Sequence, residues 1–144
     1  MRGPALILIL AAGLAPAADE PRGDLDRLQG TWTLVSMDRN GQRVLPEGIQ
    51  HSRVRFEGDH YTVERGDKSL ERGTFRLDPA PSPKTVDTTP DEGPDRGETI
   101  RGIYEFSGDT LRTCVAPPGR ARPTEFATKP DTDHMLFVYR RATP

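Results

Sequence analysis

Cys114 is the only cysteine in this 144-residue chain, and the kind of chemistry open to it depends on its neighbours. A reactive thiolate needs a nearby cation or base. Arg112 shares its strand face, but no histidine is placed to act as a partner. One cysteine cannot close an intrachain disulfide. Since free cysteine is among the most buried residue types, a small buried hydrophobe is the first reading. His51, His60 and His134 fall near strand ends and lack the His-x-x-x-His spacing that puts two imidazoles on one metal. Asp87, Asp91, Glu92 and Asp95 crowd one loop, but their spacing is not that of a calcium loop and prolines interrupt it. Ser69 and Ser107 sit in turns without a strand-to-helix elbow. No catalytic residue, metal site or cofactor is assigned on these grounds.

What remains is aromatic and cationic. Tyr104, Arg120, Arg122 and Phe126 are the candidate ligand contacts. They stand on or beside two long connections, 78–98 and 116–133, and connections of that length in a small domain carry function or disorder. A second group has a structural sense. Gly30 and Trp32, the only tryptophan, open the first strand, and Arg140 and Arg141 end the last. An arginine laid against the indole would close a barrel there, with a cation–π contact worth up to about 2 kcal/mol when desolvated.

The elements that must position these residues are strands. Gly58-Asp59 fits a two-residue hairpin loop. Counting outward pairs Phe56 with Tyr61 and Val54 with Val63 on one face, and Arg53 with Glu64 on the other. Gly108-Asp109 repeats the device, pairing Phe106 with Leu111, Glu105 with Arg112 and Gly102 with Val115. Around Gly66-Asp67 the alternation slips, because Leu70 is even while Phe75 and Leu77 are odd; a bulge at Gly73 would restore it. Asn40-Gly41 marks a further turn. Eight strands are expected, at 31–37, 51–57, 60–65, 69–77, 84–88, 99–106, 110–116 and 134–141, with no convincing amphipathic helix. Short strands joined by hairpins at this spacing predict an all-β fold, a single antiparallel barrel.

Composition bounds the rest. Residues 1–18 read as an export signal: Arg2, the apolar run Ala5 to Ala12, and the small-residue site Ala15-Pro16-Ala17-Ala18. The apolar run is too short to span a bilayer, so no stable membrane insertion is expected. Residues 19–29 read as a linker or a single helical turn, and 30–144 as one barrel domain. The whole chain carries a net charge of −2 with the two signs interspersed, which gives no footprint for nucleic acid.

Several stretches in order carry a resemblance: Leu28-Gln29-Gly30-Thr31-Trp32, Phe56-Glu57-Gly58-Asp59, Gly102-Ile103-Tyr104, Gly108-Asp109-Thr110-Leu111-Arg112 with Cys114, Arg122-Pro123-Thr124-Glu125-Phe126, and Arg140. Together they resemble a family of small domains abundant in planctomycetes, itself similar to lipocalins, in which a Gly-x-Trp on the first strand packs against an arginine after the last. The resemblance implies export and a lipocalin-like barrel of about eight strands, and no reaction.

The expected function is binding of a small, largely apolar ligand within the barrel, with inward glycines at 73 and 102 leaving space and the long loops covering the mouth. The alternative is a filled barrel that displays surfaces to protein partners of the cell envelope. A hydrolase-type enzyme using Cys114 or a loop acid stands third.

Overall fold

The computed structural model describes residues 20–143. The expected leader, 1–18, lies outside the described residues. One helix, α1 (Glu20–Leu28), precedes nine strands: β1 (Gly30–Arg39), β2 (Gln42–Arg43), β3 (Ser52–Glu57), β4 (His60–Arg65), β5 (Lys68–Asp78), β6 (Lys84–Pro90), β7 (Ile100–Ser107), β8 (Thr110–Val115) and β9 (Met135–Arg141). From β3 onward each strand pairs antiparallel with the next, and β1 joins β3 on one side and β9 on the other. The result is the expected closed antiparallel eight-stranded barrel. The two-residue β2 hangs off the end of β1, outside the ring.

Both Gly-Asp hairpins take the register that counting outward from the turn gives, Phe56 facing Tyr61 and Phe106 facing Leu111. The outward charge pairs form as well: Arg53 Nε donates to Glu64 Oε1 at 3.1 Å, and the Arg112 guanidinium grips Glu105. The third hairpin departs from the expectation. The bulge in β5 falls at Leu70, because Val63 faces Glu71 while Glu64 faces Ser69. Gly73 is in regular register opposite Tyr61 and Pro90. Leu70 is thereby pushed outward, 56 % exposed, and Glu71 turns inward.

Where a linker or single turn was expected, Glu20–Leu28 is a helix that packs across one end of the barrel, with Leu25 and Leu28 joining the core. The last four carbonyls of a helix lack partners within it. Here all four are met. Gln29 Nε2 donates to Leu25 O at 3.2 Å, the Gln29 amide to Asp26 O at 3.3 Å, the Arg141 guanidinium to Arg27 O, and Trp32 Nε1 to Leu28 O at 2.8 Å. Arg141 Nη1 also donates to Gln29 O at 2.9 Å while its guanidinium carbon lies 4.2 Å from the Trp32 ring centroid. A cation at this position also suits the negative end of the helix dipole. Gly30 joins helix to strand at φ 105°, a conformation that side chains disfavour, and a Cβ there would stand 3.5 Å from Arg141 Nη1. The closure therefore uses Gly30, Trp32 and Arg141. Arg140 points to solvent.

A second anchor fixes the helix from inside. Asp24, only 6 % exposed, accepts from Tyr104 Oη at 2.7 Å and from Lys84 Nζ at 2.9 Å. Burying a carboxylate is costly unless it is paired and hydrogen-bonded, and here it is both.

Candidate ligand site in the open half of the barrel

The inward side chains divide by depth. Around the end that α1 covers, Trp32, Val54, Tyr61, Phe75, Val86, Tyr104 and Leu111 form one buried cluster, with Trp32 1 % and Leu111 0 % exposed. Phe56 meets Phe75 edge to face at 5.2 Å, and Phe106 lies 6.0 Å from Trp32. That half is filled.

One or two steps further along each strand, residues of the same inward parity keep partial exposure: Leu34 and Met37 on β1, Val63 on β4, Thr88 on β6, Thr113 and Val115 on β8, and Phe137 and Tyr139 on β9. Inward residues that solvent partly reaches, above a layer that it does not, mark out a cup at the end opposite α1, and the wall of that half also holds the buried Pro90, Gly73 and Gly102. Val115 stands four positions beyond Leu111 on β8, at the usual rise and barrel tilt roughly 10 Å nearer the open rim. Its walls are aliphatic and aromatic, Phe137 and Tyr139 stacking at 5.9 Å. Two of the three exposed large hydrophobic residues, Leu45 (67 %) and Leu70, stand in the chain connections and strand ends at this same end.

The cup has a polar base. Tyr61 Oη donates to Glu71 Oε2 at 2.7 Å. Burial, then this bond to Glu71, pushes the Tyr61 phenol well above its ordinary range. Burial does the same to Tyr139, with the Glu71 charge a lesser cause.

The expected ligand residues are distributed differently. Tyr104 is part of the closed-half filling and is committed to Asp24. Residues 122–127 run back along the outer wall of β7 and β8, and 128–133 return to the open end beside Asn40 and Gly41. On the outer wall Arg122 Nη1 donates to Asp87 Oδ1 at 2.6 Å and to Gly102 O at 2.9 Å, and Arg112 lies 4.7 Å from the Phe126 ring centroid. Arg120 is on an exposed turn. Tyr104 and Phe126 do line one open groove of about 800 Å³ on the outer rim of the closed end, together with Arg27, Lys84 and the strap Pro79–Pro83; Arg120 and Arg122 are not part of it. Nor do the inward glycines leave space. A Cβ on Gly73 would come within 2.2 Å of Thr89 O, and one on Gly102 within 2.7 Å of Val115 Cγ1, so both positions mark close packing.

No family model matches this chain, and no curated protein does. Its own geometry must carry the reading.

Cys114 lies on the outward face of β8, fully buried under segment 117–134, where Sγ donates to Ala127 O at 3.6 Å. Burial pushes its thiol up, the opposite of what a nucleophile needs. Among the described residues, no three His, Cys, Asp or Glu side chains gather as a metal site requires, and no helix is long and apolar enough to cross a membrane. Glu71 is the residue that sequence reasoning missed. Its signal was the parity slip between Leu70 and Phe75: with the bulge at Gly73 Glu71 faces solvent, and with the bulge at Leu70 it faces the cup.

Proposed function

We propose that this protein is a small-molecule binding module whose ligand, small and largely apolar, seats in the open half of the barrel. The observation that carries the reading is the division of inward side chains into a buried layer at the α1 end and a mainly apolar layer above it that keeps partial exposure. Pockets of this make, apolar with a few convergent polar groups, are the usual form of ligand sites. The role of Trp32 and Arg141 is then to floor the cup, and Tyr61, Glu71 and Tyr139 are the polar groups a ligand meets. The leader-like sequence and the resemblance to an exported domain family support action outside the cytoplasm, where a barrel of this kind can hold a molecule away from water.

The test uses N-phenyl-1-naphthylamine, a neutral apolar dye that fluoresces on leaving water. Saturable enhancement with the natural sequence, abolished in Thr113→Trp, is the expected result, since an indole at that inward position occupies the cup. Thermal unfolding of the variant confirms that the barrel is intact. Absence of saturable binding, or equal binding by the filled variant, overturns the reading. The outer groove at the closed end, floored by Phe106 and Phe126 with Arg27 and Arg112 stacked on them, favours the alternative of a protein-interaction surface. Dye binding that survives Thr113→Trp and is lost in Phe126→Ala would move the site there.

A further inference from the structure

We infer that the ligand of the open half carries a positively charged nitrogen, an alkyl- or arylammonium group, and that Glu71 receives it. This rests on the binding reading above and adds the charge of the ligand to it.

The Leu70 bulge turns a carboxylate into a barrel wall otherwise made of Leu, Met, Val, Thr, Phe, Tyr, Pro and Gly. A carboxylate offers about four acceptor sites. Tyr61 Oη fills one of them at 2.7 Å. Among the described residues no Lys, Arg or His forms an ion pair with Glu71. Its chain neighbour Arg72 is turned outward to Glu92 at 3.4 Å, and Arg65, at the near end of β4, donates to Glu47 O at 3.1 Å. The other carboxylate that enters the barrel is treated differently: Asp24, at the closed end, is answered by Lys84. One interior acid is thus neutralised by the protein, and the one facing the cup is left with a phenol and open solvent.

The surroundings of Glu71 suit a cation. Its charge acts on the rings of both Tyr61 and Tyr139. An ammonium held at Glu71 would have the Tyr61 ring beside it, since Tyr61 Oη is 2.7 Å from the carboxylate, and aromatic faces attract cations. Its alkyl or aryl part would lie against Leu34, Met37, Val63 and Val115. A neutral ligand of the same shape would strip water from the carboxylate without replacing it, and an anionic one would add repulsion. Selectivity then comes from a penalty on the wrong ligands as well as a gain on the right one.

The experiment is displacement of N-phenyl-1-naphthylamine by octylammonium, octanol and octanoate at neutral pH. Octylammonium is expected to bind at least about tenfold more tightly than octanol, ~1.4 kcal/mol, with octanoate weakest. In Glu71→Gln, which keeps an acceptor for Tyr61, the ratio of octylammonium to octanol affinity falls to about one, whatever the variant does to the affinity of the dye itself. In Glu71→Asp, which keeps the charge, the preference persists. If the three ligands displace the dye equally, or if Glu71→Gln keeps the preference, the inference fails and the binding reading stands. If the natural protein takes up no dye, both fail. Should Glu71→Gln not fold, the salt dependence of the natural protein decides: added salt weakens octylammonium and leaves octanol unchanged, and equal responses overturn the inference.

Discussion

Replacing Arg141 by alanine removes three things at once. It takes away the donors to Gln29 O and Arg27 O, the charge at the C-terminal end of α1, and the guanidinium over Trp32. Water can replace part of the first, so the carbonyl bonds are assigned the low end for charged donors, about 1.5 kcal/mol together. The partly desolvated cation–π contact adds about 1 kcal/mol and the dipole term about 0.5 kcal/mol. The sum is a loss of about 3 kcal/mol, and for a domain of this size a fall in Tm of roughly 10 °C. Arg140→Ala, one residue earlier and turned to solvent, is expected to stay within about 0.5 kcal/mol. Arg141→Lys keeps the charge but not the two-pronged reach, and falls between them. A double-mutant cycle with Trp32→Phe separates the stacking contribution, with an expected coupling of about 1 kcal/mol. The assay is thermal and urea unfolding followed by circular dichroism. Equal losses at positions 140 and 141, or no coupling to Trp32, would refute the closure argument.

Three further outcomes follow from packing and burial. Gly73→Ala drives a Cβ to within 2.2 Å of Thr89 O on the neighbouring strand, and is expected to cost about 3 kcal/mol in urea unfolding, against little for Gly23→Ala, whose Cβ meets open space. Cys114 is expected to resist thiol reagents until the protein unfolds, so that its labelling rate falls in step with any mutation that slows opening; fast labelling of the folded protein would contradict its burial. Tyr61 and Tyr139 hold their protons above the ordinary phenol range when folded. Well below pH 10, the ordinary phenol value, both the folded and the unfolded chain are protonated, so the contribution is complete there. Above it the unfolded chain loses protons that the folded one keeps, and stability falls by about 1.4 kcal/mol per pH unit for each tyrosine. Ultraviolet titration of tyrosinate should therefore show Tyr61 and Tyr139 ionising only together with alkaline unfolding, and their early ionisation in a folded protein would contradict that.

Much of the barrel can be read along the chain because its register is set locally. A Gly-Asp turn fixes the pairing of the residues on either side, and alternation then tells which face is wet. The eight barrel strands fall where the sequence places them for that reason. The Gly-x-Trp and terminal arginine were legible as a closure, although the choice of Arg141 over Arg140 depends on strand parity at the very end of β9. Three features were not legible, each for a physical cause. The α1 helix has only Leu25 and Leu28 to bury and is rich in charge, so its stability comes from tertiary partners for its last carbonyls and not from its own pattern. The parity slip in β5 is satisfied equally by a bulge at Leu70 or at Gly73, and what decides is the approach of the Thr89 and Pro90 backbone to Gly73, more than fifteen residues away. Residues 122–127 are held on the outer wall by Arg122 at Asp87 and Gly102, contacts between distant parts of the chain that no local pattern announces. The same contacts keep Arg122 and Phe126 on the outer face, while Tyr104 is taken into the closed half.

Methyl-resolved NMR during titration with octylammonium distinguishes the two halves of the barrel interior. Progressive, saturable shifts are expected at Leu34, Met37, Val63 and Val115, with Val54, Val86 and Leu111 unmoved and the Trp32 indole N–H still bonded to Leu28. Shifts spread over both sets, or confined to the residues around Phe126, would contradict that division of the interior.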